Sequence, residues 1–437
     1  MTHPACDPDT SITTLANGVR VVAIRLPHLE SASVSVFVRS GSQHESRRLS
    51  GMSHVVEHMA FKGTHERDCQ RINLDAERLG AEVNAHTDKD HTAFHMRGLA
   101  RHAGPFVQML GDIVRNSTFP ELELERERRV ILQELVEDED DPMSTAYKLF
   151  DKACFGTHVL GQPVIGTRAN IERFTRAELV AYVEQQYTAA NVVVGVAGDI
   201  DPAAIVKQAQ EAFGSMPPGH ANEVAAPAWL GGIRTRRLAG CPQAHVVLGY
   251  PIPALRDDDP ASAVAAALFG EGMSSPLLDE IRERRGLAYY VSCSADVTAL
   301  AGQFVVEAST APEHALEFLA ETKRLLAAQA EAIDPVDLER ARNQLAVRRL
   351  RDREHPSRRL EDVALDVLAF DRVRPQLEIA ALAETVDARA VRSAFAAMLA
   401  APAAVAIAGK VSKGAPERMR ELFAGSAPAR AAVHRPG

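Results

Sequence analysis

The segment "GMSHVVEH" at residues 51–58 is echoed by "GMSSPLLD" at residues 272–279. A second pair follows in the same order, because "LERER" at 124–128 is echoed by "LERAR" at 338–342. The distance between matched segments drifts by only a few residues, as loops of variable length would allow. Self-similarity in a fixed order over half the chain predicts two copies of one domain rather than a short-period solenoid.

Each copy is predicted to combine strands with helices. Residues 31–41, "SASVSVFVRSG", alternate at period two as strands do, and 191–200, "NVVVGVAGDI", are typical of a buried strand. Helical spacing dominates residues 103–116 and 121–139. We therefore predict an α+β fold with two homologous domains, each a mostly antiparallel sheet packed with helices.

The middle of the chain contains the best candidate for a linker. Residues 212–229, "AFGSMPPGHANEVAAPAW", are rich in Pro, Gly and Ala and have little periodicity. We place the N-terminal domain at 1–213, the linker at 214–229 and the C-terminal domain at 230–437. A length of 437 residues also exceeds what one hydrophobic core usually supports.

Composition argues against several classes of protein. Hydrophobic residues make up 46% and charged residues 24%, as in soluble globular proteins. A net charge of −9 argues against a nucleic-acid partner. Because we find neither a membrane-spanning apolar run nor a signal-peptide pattern, we expect a cytoplasmic protein with no membrane partner. The cysteines form no close pair and are predicted to be free thiols: Cys6, Cys69, Cys154, Cys241 and Cys293.

Two histidines and a glutamate lie within five positions of the first repeat, namely His54, Glu57 and His58. Residues three and four apart share one face of a helix, so the two imidazoles can point at one metal ion. Imidazole suits zinc, and a catalytic zinc ion has three protein ligands and a water of lowered pKa. Glu57 would be the general base. The alternative is a chance cluster among 16 histidines.

A third ligand must come from elsewhere in the chain. Glu127 and Glu134 are both candidates, because they lie two helical turns apart on one face. In the second copy, the positions that match the two histidines and three glutamates carry other side chains: Ser275, Leu278, Asp279, Ala341 and Arg348. Since one fold tolerates both sets, we predict that the first set serves a purpose other than folding.

At these residues the sequence resembles the pitrilysin family of zinc peptidases, in particular the branch of short chains that includes the mitochondrial processing peptidases and related bacterial enzymes. Residues 51–64, "GMSHVVEHMAFKGT", match the metal helix of the family, and residues 130–142, "VILQELVEDEDDP", match its distal glutamate segment. The resemblance implies one zinc ion surrounded by the ligands His54, His58 and Glu134, the general base Glu57, and Glu127 as a carboxylate that orients the ligands.

The resemblance also implies residues that bind substrate. Within "VNAHTDKDHTAF", 83–94, Asn84 and Ala85 would lie on an edge strand that pairs with the peptide backbone. Arg282 and Tyr289 resemble a pair that donates hydrogen bonds to the substrate carbonyl. The alternative is that Arg282 belongs to a solvated basic helix end and Tyr289 to the core.

Length adds an expectation about assembly. Because long family members have four such domains, this chain resembles half of a clamshell that pairs with a second subunit to close a chamber. The partner would be another copy or an inactive paralogue, and its Arg282 and Tyr289 equivalents would face the zinc. The implied function is a zinc-dependent endopeptidase that cleaves unfolded peptides or presequence-like segments. The alternative is a non-catalytic core or peptide-binding subunit.

Two features are assigned no function from the sequence. His86, His91 and His95 are expected to be surface or packed histidines. The run "RRLRDREHPSRR" at 348–359 is expected to be a solvated basic helix.

Overall fold

The computed structural model describes residues 7–424, without the side chains at 376, 377 and 380, so Cys6 lies outside the described residues. The strands are β1 (Thr10–Thr14), β2 (Arg20–Arg25), β3 (Ser31–Val38), β4 (Glu82–Thr87), β5 (Thr92–Leu99), β6 (Val192–Gly198), β7 (Gly232–Arg237), β8 (Ala244–Ile252), β9 (Ala288–Val297), β10 (Gly302–Thr310) and β11 (Ala404–Gly409). The helices are α1 (Met52–Ala60), α2 (Cys69–Arg78), α3 (Ala103–Asn116), α4 (Glu121–Asp140), α5 (Pro142–Phe155), α6 (Arg168–Arg173), α7 (Arg176–Gln186), α8 (Pro202–Phe213), α9 (Pro260–Gly270), α10 (Pro276–Leu278), α11 (Ala315–Glu331), α12 (Pro335–Glu354), α13 (Pro356–Phe370), α14 (Gln376–Thr385), α15 (Ala388–Ala400) and α16 (Ala415–Phe423). A π-helix covers Asp279–Arg284. None of the helices in residues 7–424 has the length and apolarity that a bilayer crossing requires.

The chain forms two compact units that differ from simple halves of the sequence. Unit 1 comprises the described part of 1–137 with 162–225 and 347–380, and unit 2 comprises 138–161, 226–346 and the described part of 381–437. Both units are discontinuous, whereas the domains predicted at 1–213 and 230–437 are continuous. The predicted domain boundaries describe the two copies of the sequence repeat, not the two compact units, and they stay a prediction.

Each unit contains one sheet, and the two sheets have the same topology. The strand order is β1-β2-β6-β3-β5-β4 in unit 1 and β7-β11-β8-β10-β9 in unit 2. The pairs β2/β6 and β7/β11 are parallel, and the other neighbours are antiparallel. Apart from β1, the sheets match strand for strand. This confirms the prediction of two homologous, mostly antiparallel α+β domains.

Helices α5 and α13 occupy equivalent positions in the sequence repeat. Helix α5 comes from the N-terminal half of the sequence but belongs to unit 2, and α13 comes from the C-terminal half but belongs to unit 1. In unit 2, Phe150 of α5 packs on Gly249 of β8; in unit 1, Leu360 of α13 packs on Gly195 of β6. A Cβ atom built on Gly249 would lie 2.5 Å from the Phe150 ring, and one on Gly195 would lie 2.6 Å from Leu360 Cδ1. Both contacts are therefore possible only because glycine has no side chain.

Strand β4 is an edge of the unit 1 sheet and carries residues on two different faces. Its register places His86 opposite Ala93, which packs in the hydrophobic cluster that α13 helps to form. Because side chains alternate along a strand, the next residue, Thr87, points to the other face. There it contacts Glu57 of α1. The two faces of β4 therefore border different parts of unit 1.

Candidate metal centre

Helix α1 is held in place at its N-terminus and along its apolar face. It follows Gly51, whose φ of 97° lies in the left-handed region. The Glu45 carboxylate accepts hydrogen bonds from the backbone N–H groups of Gly51 (2.7 Å) and Ser53 (2.6 Å). Burial raises the pKa of Glu45 to about 8, although these donors favour its ionised form. The apolar face is anchored in the core by Met52, Val55, Val56 and Met59.

The structure brings His54, His58 and Glu134 together. The two histidines lie one turn apart on α1, and Glu134 reaches them from α4. Glu134 Oε1 is 3.5 Å from His54 Nε2, and Glu134 Oε2 is 3.4 Å from His58 Nε2. These hydrogen bonds lower the pKa of Glu134. The three predicted ligands thus point their donor atoms at one place, and their metal-binding role stays a prediction.

The donor set fits zinc. Two imidazole nitrogens and a carboxylate are ligands that zinc prefers, and atoms that share a tetrahedral zinc ion lie about 3.3 Å apart. One donor atom from each residue can be chosen so that all lie within 4.8 Å of one another. His54 is buried, and its Nδ1 has no hydrogen-bond partner within the described part of the chain. His54, His58 and Glu134 would hold the metal, and a fourth position would remain for water or substrate.

Glu127 and Lys62 support His58. His58 Nδ1 lies 3.2 Å from Glu127 Oε2, and Lys62 Nζ lies 2.7 Å from Glu127 Oε1. Burial favours neutral His58, but Glu127 and Glu134 raise its pKa to about 9. Glu127 therefore occupies the position predicted for an orienting carboxylate. Sequence reasoning missed Lys62, which follows the end of α1 and lies four residues after His58.

Glu57 lies beside the predicted ligands and is held from β4. The Thr87 hydroxyl donates a hydrogen bond of 2.7 Å to Glu57 Oε2. Thr87 has no role predicted from the sequence, yet it lies two residues after Ala85 and therefore on the same face of the strand. The contact fixes the orientation of the proposed base against the proposed substrate strand.

Asn84 and Ala85 lie on the edge strand, as predicted. Strand β4 pairs with β5 on one side and with no other strand among those of residues 7–424. The N–H of Ala85 donates a hydrogen bond of 2.8 Å to Asn84 Oδ1. The role of this edge in substrate binding stays a prediction.

Arg282 and Tyr289 lie together in unit 2. The Arg282 guanidinium carbon is 5.5 Å from the centre of the Tyr289 ring, which is a cation–π contact. Tyr289 is 85% exposed, so the alternative that it is a core aromatic residue is wrong. The exposed pair is available for a ligand, and its contact with substrate stays a prediction.

The matching positions of unit 2 serve folding instead. Ser275, which matches His54, is buried and caps α10 through a hydrogen bond of 3.4 Å from Leu278 N–H. Ala341, which matches Glu127, is fully buried in the unit 2 core. The polar residues of unit 1 are therefore not needed to form this fold.

Comparison of the sequence with protein families gives two adjacent matches. Residues 20–168 match "Insulinase (Peptidase family M16)", and residues 173–345 match "Peptidase M16 inactive domain". Among curated proteins, an "Uncharacterized zinc protease" of Rickettsia felis is 29% identical over 86% of this chain and 92% of its own length. A second uncharacterized zinc protease, ML0855 of Mycobacterium leprae, is 35% identical over 73% of each chain.

Solved structures show the same fold. A protease from Helicobacter pylori has a TM-score of 0.84, with 20% identity, over 92% of this chain and 99% of its own. A peptidase M16 inactive domain from Pseudomonas fluorescens has a TM-score of 0.83, with 21% identity, over 92% of this chain and 99% of its own.

Proposed function

Because this chain belongs to the M16 (insulinase) family of peptidases, we propose that it is a zinc-dependent endopeptidase that cleaves unfolded peptides or presequence-like segments. One observation carries the proposal. His54, His58 and Glu134 converge from two helices with zinc-like spacing, and Glu57 lies on the same turn of α1 as the histidines. A binding protein or scaffold would need neither the base nor its partner Thr87.

Each residue has a defined task in this reaction. When bound to the two histidines and Glu134, zinc would supply a Lewis acid and a water whose pKa is lowered to about 7. Glu57 accepts the proton of the attacking water and transfers it to the leaving amine. The Thr87 hydroxyl holds one Glu57 oxygen, so the other remains directed to the reacting groups. Glu127 and Lys62 keep His58 oriented.

The substrate class follows from the edge strand. An extended peptide can add to β4 through backbone hydrogen bonds, which are independent of side-chain identity. Asn84 and Ala85 would be its partners, after the Ala85 N–H exchanges its bond with Asn84 for one with the peptide. Such pairing requires an unfolded segment, because a folded domain has few unpaired backbone groups to offer.

The proposal includes a second subunit. Arg282 and Tyr289 of a partner would donate hydrogen bonds to the carbonyl oxygen as it becomes anionic, inside a chamber closed by the two chains. The chain would pair with itself or with an inactive paralogue. The alternative function is a non-catalytic core or peptide-binding subunit, in which the same metal residues would serve structure alone.

Glu57→Gln tests the catalytic proposal, with exposed Glu66→Gln as the matched control. We expect Glu57→Gln to bind one equivalent of zinc at this site and to cleave an unfolded, internally quenched peptide at less than about one hundredth of the wild-type rate. Glu66→Gln should retain full activity. Undiminished cleavage by the Glu57 variant would rule out the mechanism, and a wild-type chain with zinc but no cleavage in any assembly would favour the scaffold.

A mixing experiment tests the partner. A Glu57→Gln chain and a Tyr289→Phe, Arg282→Ala double variant should each be inactive alone. In a homodimer that shares these residues across the interface, mixing them restores about a quarter of the wild-type activity, because half of the dimers contain one intact site of two. No recovery in subunit-exchanged dimers would contradict this arrangement.

A further inference from the structure

Unit 1 contains a second cluster of histidines and carboxylates, on the face of its sheet opposite α1. A cavity of about 670 Å³ there is lined by residues of β4, β5 and α13. They include His86, His95, His355 and Glu361. His91 lies between β4 and β5 on the same hairpin and is only 2% exposed. None of these residues contacts Glu57 or the three residues of the candidate metal centre in the described structure.

His86 and His91 have the separation of two ligands on one metal ion. Their Nε2 atoms are 3.3 Å apart, which is about the distance between two nitrogens on a tetrahedral zinc ion. Their rings meet at 85°, so the two nitrogen lone pairs converge from different directions. A contact at this distance between two imidazole nitrogens needs either a shared proton or a shared metal, because two lone pairs repel.

Carboxylates complete the cluster. Glu361 Oε1 lies 3.8 Å from His86 Nε2, while Glu361 Oε2 faces Arg358 at 3.4 Å. One donor atom each from Asp88, His86 and His91 can be chosen so that all three lie within 4.8 Å of one another. The salt bridge with Arg358 thus leaves one Glu361 oxygen directed at His86.

His91 is oriented as metal-bound histidines usually are. Its Nδ1 lies 2.7 Å from Asp90 Oδ1, and this contact directs Nε2 at His86. A carboxylate on the far nitrogen of a ligand histidine fixes the ring and increases its basicity.

We propose that His86 and His91, with carboxylates of Asp88 and Glu361, bind a second divalent transition-metal ion of the zinc class. The site is structural. It joins the β4–β5 hairpin to α13, which comes from the other half of the sequence. Because His86 and Thr87 are neighbours on β4, the ion would stiffen the strand that holds Glu57 without touching the reaction.

Metal stoichiometry of the full chain tests the proposal. After saturation with Zn²⁺ and dialysis, we expect two ions per wild-type chain and one in a His58→Ala, Glu134→Gln variant. Adding His86→Asn to that variant should remove the remaining ion. His86 is partly exposed, so this substitution is compatible with folding, which circular dichroism would verify.

Two further variants sharpen the result. Asp90→Asn should weaken the second site about 10- to 100-fold in a Co²⁺ titration followed by visible absorption. His95→Asn is the matched control, because its ring centre lies 5.7 Å from that of His86 and it is not among the proposed ligands. It should leave the second ion bound. Absence of zinc from the His58→Ala, Glu134→Gln variant, retention of the second ion in the His86 variant, or its loss in the His95 variant would overturn the assignment.

Discussion

Nδ1 of His58 lies 3.2 Å from Oε2 of Glu127, while Nε2 of the same ring faces Glu134. One helix, α4, thus supplies both the predicted ligand and the carboxylate that orients another ligand. Lys62 Nζ lies 2.7 Å from the other Glu127 oxygen, Oε1, and neutralises the carboxylate. The buried Glu127 therefore keeps a counter-ion even when His58 is neutral. Glu127 therefore orients His58 through Nδ1, the ring nitrogen on the side away from Glu134.

Glu127→Gln should weaken zinc binding at the candidate metal centre by about 10- to 100-fold, because an amide orients an imidazole less strongly than a carboxylate. The measurement is competition with a chromophoric chelator. Glu125→Gln is the matched control on the same helix, since the exposed Glu125 carboxylate pairs with Arg128 and is not part of the metal centre. Equal zinc affinity in the two variants would contradict this role of Glu127.

Thr87→Val should lower kcat about tenfold and leave zinc content unchanged. Valine keeps the shape of threonine but removes the hydroxyl that holds Glu57, and loss of one hydrogen bond to a charged group costs about 1.5 kcal/mol. Thr87→Ser retains the donor and should keep most of the activity. This prediction depends on the proposed function. A valine variant as active as the serine variant would show that Glu57 does not need the contact.

The stability of the protein should fall in acid through His44. Burial lowers the pKa of His44 to about 4, below about 6.5 in the unfolded chain. Between these values the unfolded state binds more protons, so stability is fully present above pH 6.5 and is lost as the pH falls towards 4. The protonated ring could no longer accept the Gly41 N–H bond of 3.1 Å.

His44→Asn should flatten this dependence, because asparagine offers an acceptor oxygen that does not titrate. Urea unfolding midpoints between pH 4 and 7 would give the difference, which we expect to reach about 2 to 3 kcal/mol. Substitution of exposed His65 by Asn is the control. Parallel curves for the wild type and the His44 variant would contradict the prediction.

Gly195→Ala should destabilise unit 1 by about 1 to 3 kcal/mol, because the new methyl group would overlap the buried Leu360 side chain. Leu360→Ala alone should cost about 2 to 5 kcal/mol through a cavity. The double variant should be more stable than the sum of the two single effects implies, since the cavity accepts the methyl group.

Denaturant unfolding of the four proteins of this cycle measures the coupling. Gly104→Ala in α3 is the control, because its Cβ would make only ordinary contacts, at 3.5 Å or more, with Gln208. It should be neutral or slightly stabilising, as helix propensity favours alanine. Strict additivity at residues 195 and 360 would show that the close approach of α13 does not depend on the glycine.

Much of this molecule could be predicted from local patterns. The helices predicted at 103–116 and 121–139 are α3 and α4, because apolar periodicity reports the buried face of a helix directly. The internal repeat predicted two equivalent sheets. Spacing on α1 was enough to place His54 and His58 on one side, since helix geometry is the same in every context.

Contacts between distant elements could not be predicted in the same way. The strand pattern places Thr87 on the face of Ala85, but the sequence does not indicate that Thr87 contacts Glu57 or that Lys62 contacts Glu127. Those contacts depend on how β4 and α4 pack against α1. The placement of α5 in unit 2 and of α13 in unit 1 has the same origin, because each helix packs on a sheet formed by distant parts of the sequence.

The histidines of the β4–β5 hairpin show most clearly what the sequence determines and what only the tertiary structure decides. The alternation of a strand assigns His86 to one face and Thr87 to the other, and the residue types on α1 indicate metal chemistry from the sequence alone. His86 meets His91 at 3.3 Å and also meets Glu361, which lies 275 positions later in the sequence. Both contacts are properties of the packed sheet and α13. Local geometry repeats wherever its residues occur, whereas a long-range contact exists only once the intervening chain has folded.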